Sequence, residues 1–173
     1  MFRHGMSIPF QWTIGILPRA LLALTIWLLV GGGSYAQSPF DRLAGQWSGS
    51  GTIDMANGAH ERIKCRASYD VLGDQKKLQL NIRCASESYN FDLRASAVYS
   101  SGAINGNWSE STRMVAGTIS GRADGDRFHV VARAASFAAT LSLVTHGGRQ
   151  SVAIRTQDPK SDIKGVSISL RRG

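Results

Sequence analysis

From residue 45 onward, apolar and polar residues alternate with period two, and clusters of Gly, Asp, Asn and Ser interrupt the alternation at short intervals. Apolar residues never recur at the three-to-four spacing of a helix. The pattern therefore predicts many short antiparallel strands. Ten segments can be drawn, at about 46–55, 61–72, 77–85, 89–100, 103–110, 114–122, 127–134, 137–145, 149–157 and 163–171.

Register can be read from the sequence, because opposed residues in an antiparallel hairpin share a face and side chains alternate across the sheet. A hairpin centred between Gly73 and Lys76 sets Val71 against Leu78, Tyr69 against Leu80, Ala67 against Ile82 and Cys65 against Cys84. The same test around Ser86-Glu87 pairs Ile82 with Phe91 and Leu80 with Leu93. Around Ser101-Gly102 it pairs Tyr99 with Ile104. Around Asp124-Gly125, a favoured two-residue turn, it pairs Ile119 with Val130. Around Gly147-Gly148 it pairs Leu143 with Val152 and Leu141 with Ile154. Around Asn57-Gly58 it pairs Ile53 with Ile63 and Trp47 with Tyr69.

Every strand is thus joined to the next by a hairpin, with a longer connection only near Asp158-Pro159. An open twisted sheet of this length leaves sticky edges and tends to curl. The expected fold is all-β, an up-and-down antiparallel β-barrel of about ten strands. A two-sheet sandwich is the alternative, but its Greek-key connections are not evident. The inward positions mix bulky residues with many glycines and alanines. Eight strands already give an interior that side chains just fill, so this barrel should either keep a cavity or flatten.

The first 36 residues read differently. Arg3, His4 and Arg19 precede an apolar run from Ala20 to Val30, then three glycines and Ser34-Tyr35-Ala36. This is the plan of a signal peptide cleaved after Ala36, since the run is short for a spanning helix. The expected product is one domain, residues 37–173, exported to the periplasm or secreted, and not transmembrane after cleavage. Export favours a disulfide, and Cys65 and Cys84 are the only cysteines. Neither has a second ligand at zinc-type spacing, so no metal site is expected.

Gly45-Gln46-Trp47, following the turn-like Ser38-Pro39-Phe40-Asp41, resembles the Gly-x-Trp opening of lipocalins and their calycin relatives. The ten-strand count without a helical lid is closer to the nitrobindin-like barrels of that group. The resemblance implies a calycin-like barrel whose Trp47 packs across one end. The haem-binding members use a histidine ligand. Here His129 points outward in the register, and His60 and His146 sit in or beside turns, so no haem or other cofactor is expected.

The barrel ends differ. Both chain ends share one of them, where Trp47 and Phe40 would close the barrel. Near the other lie Met55, Tyr89, Trp108, Glu110 and Phe137, a mixture of apolar bodies and polar groups that suits a small-molecule pocket or an ordinary aromatic core layer. Glu110 is the one inward carboxylate, and the register sets it against Arg113 across Ser111-Thr112 as a rim ion pair. Catalysis would need a second positioned group. No nucleophile elbow, Walker loop or metalloprotease motif is present, and enzymatic activity is not expected. Asn107-Trp108-Ser109 matches a glycosylation sequon, a short and unspecific motif.

The chain carries a formal net charge of +8, of which Arg3 and Arg19 belong to the leader. The outer face of the second to fourth strands gathers Arg62, Lys64, Arg66, Arg83 and Arg94. Arg66 faces Arg83, with Asp92 diagonal to it, and like charges directly opposed cost stability. Such a face is either solvated, with local neutralisation, or a docking patch for an anionic envelope surface: lipid headgroups, glycans or an acidic protein. Nucleic acid is not an expected partner. Two readings result: a carrier or sensor of a small apolar molecule, or a non-enzymatic envelope interaction protein or inhibitor acting through this basic wall.

Overall fold

A computed structural model of the chain describes residues 38–73 and 75–173. The expected leader, residues 1–36, lies outside the described residues. No helix among the described residues is long and apolar enough to cross a membrane.

The fold is a closed barrel of ten antiparallel strands, each hydrogen-bonded to its neighbours in sequence, with the first also paired to the last. A 3-10 helix, Pro39–Arg42, precedes them. The strands are β1 Gly45–Met55, β2 His60–Leu72, β3 Lys77–Ala85, β4 Asn90–Ser100, β5 Ala103–Glu110, β6 Val115–Asp124, β7 Arg127–Ala134, β8 Phe137–His146, β9 Arg149–Thr156 and β10 Ile163–Arg172. Closure between β1 and β10 excludes the sandwich, and it removes the free edges that a meander of this length would expose.

Inward and outward faces follow the period-two reading, but several registers do not. The Cys65–Cys84, Tyr99–Ile104 and Leu143–Val152 pairs form as expected. Elsewhere the ladder is displaced by two residues. Trp47 faces Ala67 and Ile53 faces Glu61. Leu80 faces Ala95 and Ile82 faces Leu93. Ile119 faces Ala132, Val130 faces Gly121, and Glu110 faces Val115 instead of Arg113.

The cause in each case is the turn. Asp124 remains in β6 opposite Arg127, so the tight turn is Gly125-Asp126, with Gly125 at φ 57°. The β3–β4 and β5–β6 connections span residues 86–89 and 111–114 rather than two residues each. Because side chains alternate with period two, a two-residue slip leaves every face unchanged.

Gly49 and Gly51 permit close approach at the closing seam. A Cβ on either would collide with the backbone of β10, at the carbonyls of Ser169 and Ser167. The disulfide Cys65–Cys84 crosses β2 and β3 on the inner face, where both residues are buried.

Candidate functional site

One end of the barrel is sealed by the 3-10 helix. The Ser38 hydroxyl caps it by accepting from the Phe40 N–H, and Pro39 sits in its first turn, where the lost N–H costs nothing. The helix places Phe40 against the lower barrel, stacked on Phe128 at 6.2 Å and edge-on to Tyr99 at 6.1 Å. The Trp47 indole N–H donates to the Leu43 carbonyl at 2.7 Å, tying β1 to the helix end. The Arg172 guanidinium lies 4.8 Å from the Trp47 ring centroid.

A buried polar chain lies near this end. The Tyr69 hydroxyl donates to Gln150 Oε1 at 2.8 Å, and Gln150 Nε2 donates to the Thr145 hydroxyl at 3.2 Å. Burial pushes the Tyr69 hydroxyl well above the usual tyrosine range, against the opposing pull of the Gln150 hydrogen bond. Gln150 and Thr145 are not evident as a site from the sequence. Their only signal was phase: both are polar residues on the inward beat of their strands.

Above the seal the interior is hollow. Phe40 and Leu43 form its floor, and the cavity measures about 530 Å³. Its surface is visible in the burial pattern. Inward side chains such as Leu80, Leu93, Val130, Ala132 and Leu141 are only half-buried although they face the barrel axis, whereas Trp47, Ile53 and Ile63 are fully enclosed. Paired small residues leave this space, with Gly106 opposite Ala97 and Ala132 opposite Ala139, while Ala95 gives room to Trp108 across the ladder. A cavity of this size with mostly apolar walls matches the usual dimensions of small-molecule sites.

Trp108, Glu110 and Phe137 stand together in the upper wall of the cavity, while Met55 and Tyr89 do not line it. Trp108 meets Phe137 edge-on, with centroids 5.7 Å apart. It fits over Gly117, where an added Cβ would lie 3.0 Å from Nε1. Its indole N–H is buried with no hydrogen-bond acceptor among the described residues. Tyr89 instead belongs to the β3–β4 turn and stacks on Phe91 at 6.2 Å.

Glu110 does more than pair with an arginine. Its Oε1 accepts from the Asp92 and Thr112 backbone N–H groups and from the Thr112 hydroxyl, and Oε2 accepts from the Arg113 N–H at 2.8 Å. The Arg113 guanidinium is farther away, 3.7 Å from Oε2. The carboxylate therefore organises the 111–114 turn and ties it to β4, which explains the longer connection. Burial raises its pKa, but these hydrogen bonds to the ionised form outweigh that and hold it below the ordinary value. Arg113 lines the mouth and lies over the Phe91 ring at 4.7 Å. Among the described residues, no histidine and no free thiol stands in the cavity wall.

On the outer wall, Arg62, Lys64, Arg66, Arg83 and Arg94 are all exposed. Lys64, Arg66 and Arg83 line a shallow concavity shared with Ser48, Ser50 and Asn81. Arg66 faces Arg83 directly. Asp92 is directly opposite Arg83, not diagonal to it, and the two form an ion pair at 3.1 Å. The two-residue displacement of the β3–β4 ladder accounts for that difference.

The fold is a closed, ten-stranded, up-and-down antiparallel barrel with a hollow interior. No protein-family model matches the chain, and no curated protein matches it significantly. Solved structures do. Rv2717c from M. tuberculosis superposes with a TM-score of 0.62 at 12% identity, covering 76% of this chain and 93% of its own. The S-type phycobiliprotein lyase CPES from Guillardia theta gives a TM-score of 0.57 at 12% identity, covering 78% of this chain and 90% of its own. Both are calycin-like barrels. At this identity the likeness is one of fold.

Proposed function

We propose that this protein is an exported, non-enzymatic carrier or sensor that holds a small, mostly apolar molecule inside its barrel. The observation that carries the reading is the sealed-floor cavity of about 530 Å³ with an almost wholly apolar wall. Trp108 and Phe137 supply the aromatic part of the site. A transformation of the ligand is not part of the proposal. Glu110 is the only carboxylate in the cavity wall among the described residues, and its oxygens are already occupied by four donors. An acid or base needs a proton site facing the substrate. One of the two structural neighbours is a lyase, so turnover of candidate ligands belongs among the tests of this reading.

Native mass spectrometry of the purified protein tests it. The expected result is a co-purifying or added apolar molecule bound one to one, released on unfolding and chemically unchanged. Trp108→Ala should weaken the binding of an apolar fluorescent dye, because the aromatic wall is lost. Unchanged dye affinity in that variant counts against the site, and a chemically altered ligand counts against the carrier reading.

A further inference from the structure

The closed ladder brings together charges that are distant in sequence. Reading the outward residues across the strands gives a single row: Arg83 on β3 faces Arg66 on β2, Arg66 faces Ser48 on β1, Ser48 faces Arg171 on β10, and Arg171 faces Arg149 on β9. All four arginines are exposed. Strands lie about 4.8 Å apart, so the row spans roughly 20 Å of the outer wall.

Among the described residues, only two register pairs set arginine against arginine, Arg66–Arg83 and Arg171–Arg149. Both fall on this row. Elsewhere no described arginine faces another arginine or a lysine: Arg133 faces Thr118 and Ala138, Arg127 faces Asp124 and Val144, and Arg172 faces Trp47. Directly opposed like charges destabilise a sheet. Asp92 neutralises the Arg83 end, but no carboxylate lies within ion-pairing distance of Arg66, Arg149 or Arg171 among the described residues. Asp70 is on the same face of β2 as Arg66, four residues along. An external anion would relieve the repulsion left at Arg66, Arg149 and Arg171, which have no ion-pair partner among the described residues.

We infer that this arginine belt binds an acidic polysaccharide, with its carboxylates on Arg66, Arg83, Arg149 and Arg171 and its hydroxyls on the neighbouring serines. Ser48 lies within the row, and Ser50, Ser169 and Ser151 form the adjoining row on the same face, each opposite the next. A belt one residue wide, flanked by hydroxyls, matches a linear polymer bearing repeated charge. It does not match a protein interface, which centres on buried aromatic or aliphatic anchors. Of the exposed large apolar side chains, none occupies a position in the arginine row; Val144 faces Ser151 at the end of the serine row. Nor does any aromatic residue occupy these outward positions, as a platform for single-stranded nucleic acid requires.

The test is titration of the purified protein with polygalacturonate at low and high salt. Arg66→Gln/Arg171→Gln is compared with Arg122→Gln/Arg133→Gln, which removes the same charge from β6 and β7. The belt variant should lose about tenfold in affinity, the sum of two exposed ion pairs, while the control variant keeps wild-type affinity. Binding should weaken as salt screens the contacts. The belt variant should also melt at the same or a higher temperature, because a like-charge opposition has been removed. Equal losses in both variants would show that binding follows net charge and would overturn the belt. So would no binding at low salt, or a lowered melting temperature in the belt variant alone. Tighter binding to phosphatidylglycerol vesicles or to duplex DNA than to polygalacturonate would overturn the choice of partner.

Discussion

Glu110 illustrates what one inward residue contributes. Its carboxylate accepts three backbone N–H groups and one hydroxyl at the top of β5, so it fixes the 111–114 turn and its junction with β4. Glu110→Ala leaves those donors to find water or go unpaired, and the expected cost is about 2 kcal/mol in urea unfolding. The charge also predicts a pH dependence. The folded-state pKa lies below the ordinary value of 4.5. The stabilisation is therefore complete above that value and is lost as the pH falls through the lower folded-state one. Wild-type stability should drop along this acid limb, and Glu110→Gln should flatten it. An identical acid limb in the variant would assign the drop to other carboxylates. The sequence located Glu110 correctly on the inner face. Its role was hidden because backbone donors carry no sequence signature. Met55 and Tyr89 were harder for a related reason. Both stand where strands pass into turns, and turn length decides whether such a side chain reaches the interior.

Among the elements, the β2–β3 hairpin was the most legible. Cysteines on matching phases of adjacent strands meet only in one register, and apolar pairs on either side select the same one. The bridge closes a loop with a sequence separation of 19, and removing it should cost about 3 kcal/mol by the loop-entropy estimate. Cys65→Ser/Cys84→Ser measured by urea denaturation checks this. An unchanged midpoint would mean that the ladder alone specifies the hairpin. Other hairpins slipped by two residues because apolar-to-apolar matching has several near-equivalent solutions on one face. Only the turn distinguishes them. The Ser101-Gly102 turn, with φ of 48° and 86° at its two residues, was identifiable because both conformations disfavour most side chains. The longer 86–89 and 111–114 turns rest on backbone N–H groups donating to the side chains of Ser86 and Glu110, which composition does not reveal.

For the molecule as a whole, hairpin logic reached the meander but not the seam. Pairing β1 with β10 depends on chain segments more than a hundred residues apart, so nothing local specifies it. That is why hairpin pairing alone groups Arg66 and Arg83 on β2 and β3 but does not bring Arg149 and Arg171 beside them, and why the basic face read from sequence covers three strands where the structure shows a row across five. The cavity was half visible. Small inward residues announced spare volume, yet flattening would have used the same glycines and alanines. Closure around a sealed floor settled the matter in favour of a hollow.

Binding inside that hollow is tested most directly by filling it. Ala132 faces the cavity, is half-buried and lines its wall, so Ala132→Phe projects a ring into empty space rather than into packed neighbours. The measurement is titration of an apolar fluorescent dye into wild type and variant, alongside thermal melting of each. The account predicts that the variant melts at or above the wild-type temperature and loses most of its dye binding. Full dye affinity in a stably folded Ala132→Phe protein would place the binding outside the barrel and contradict the carrier.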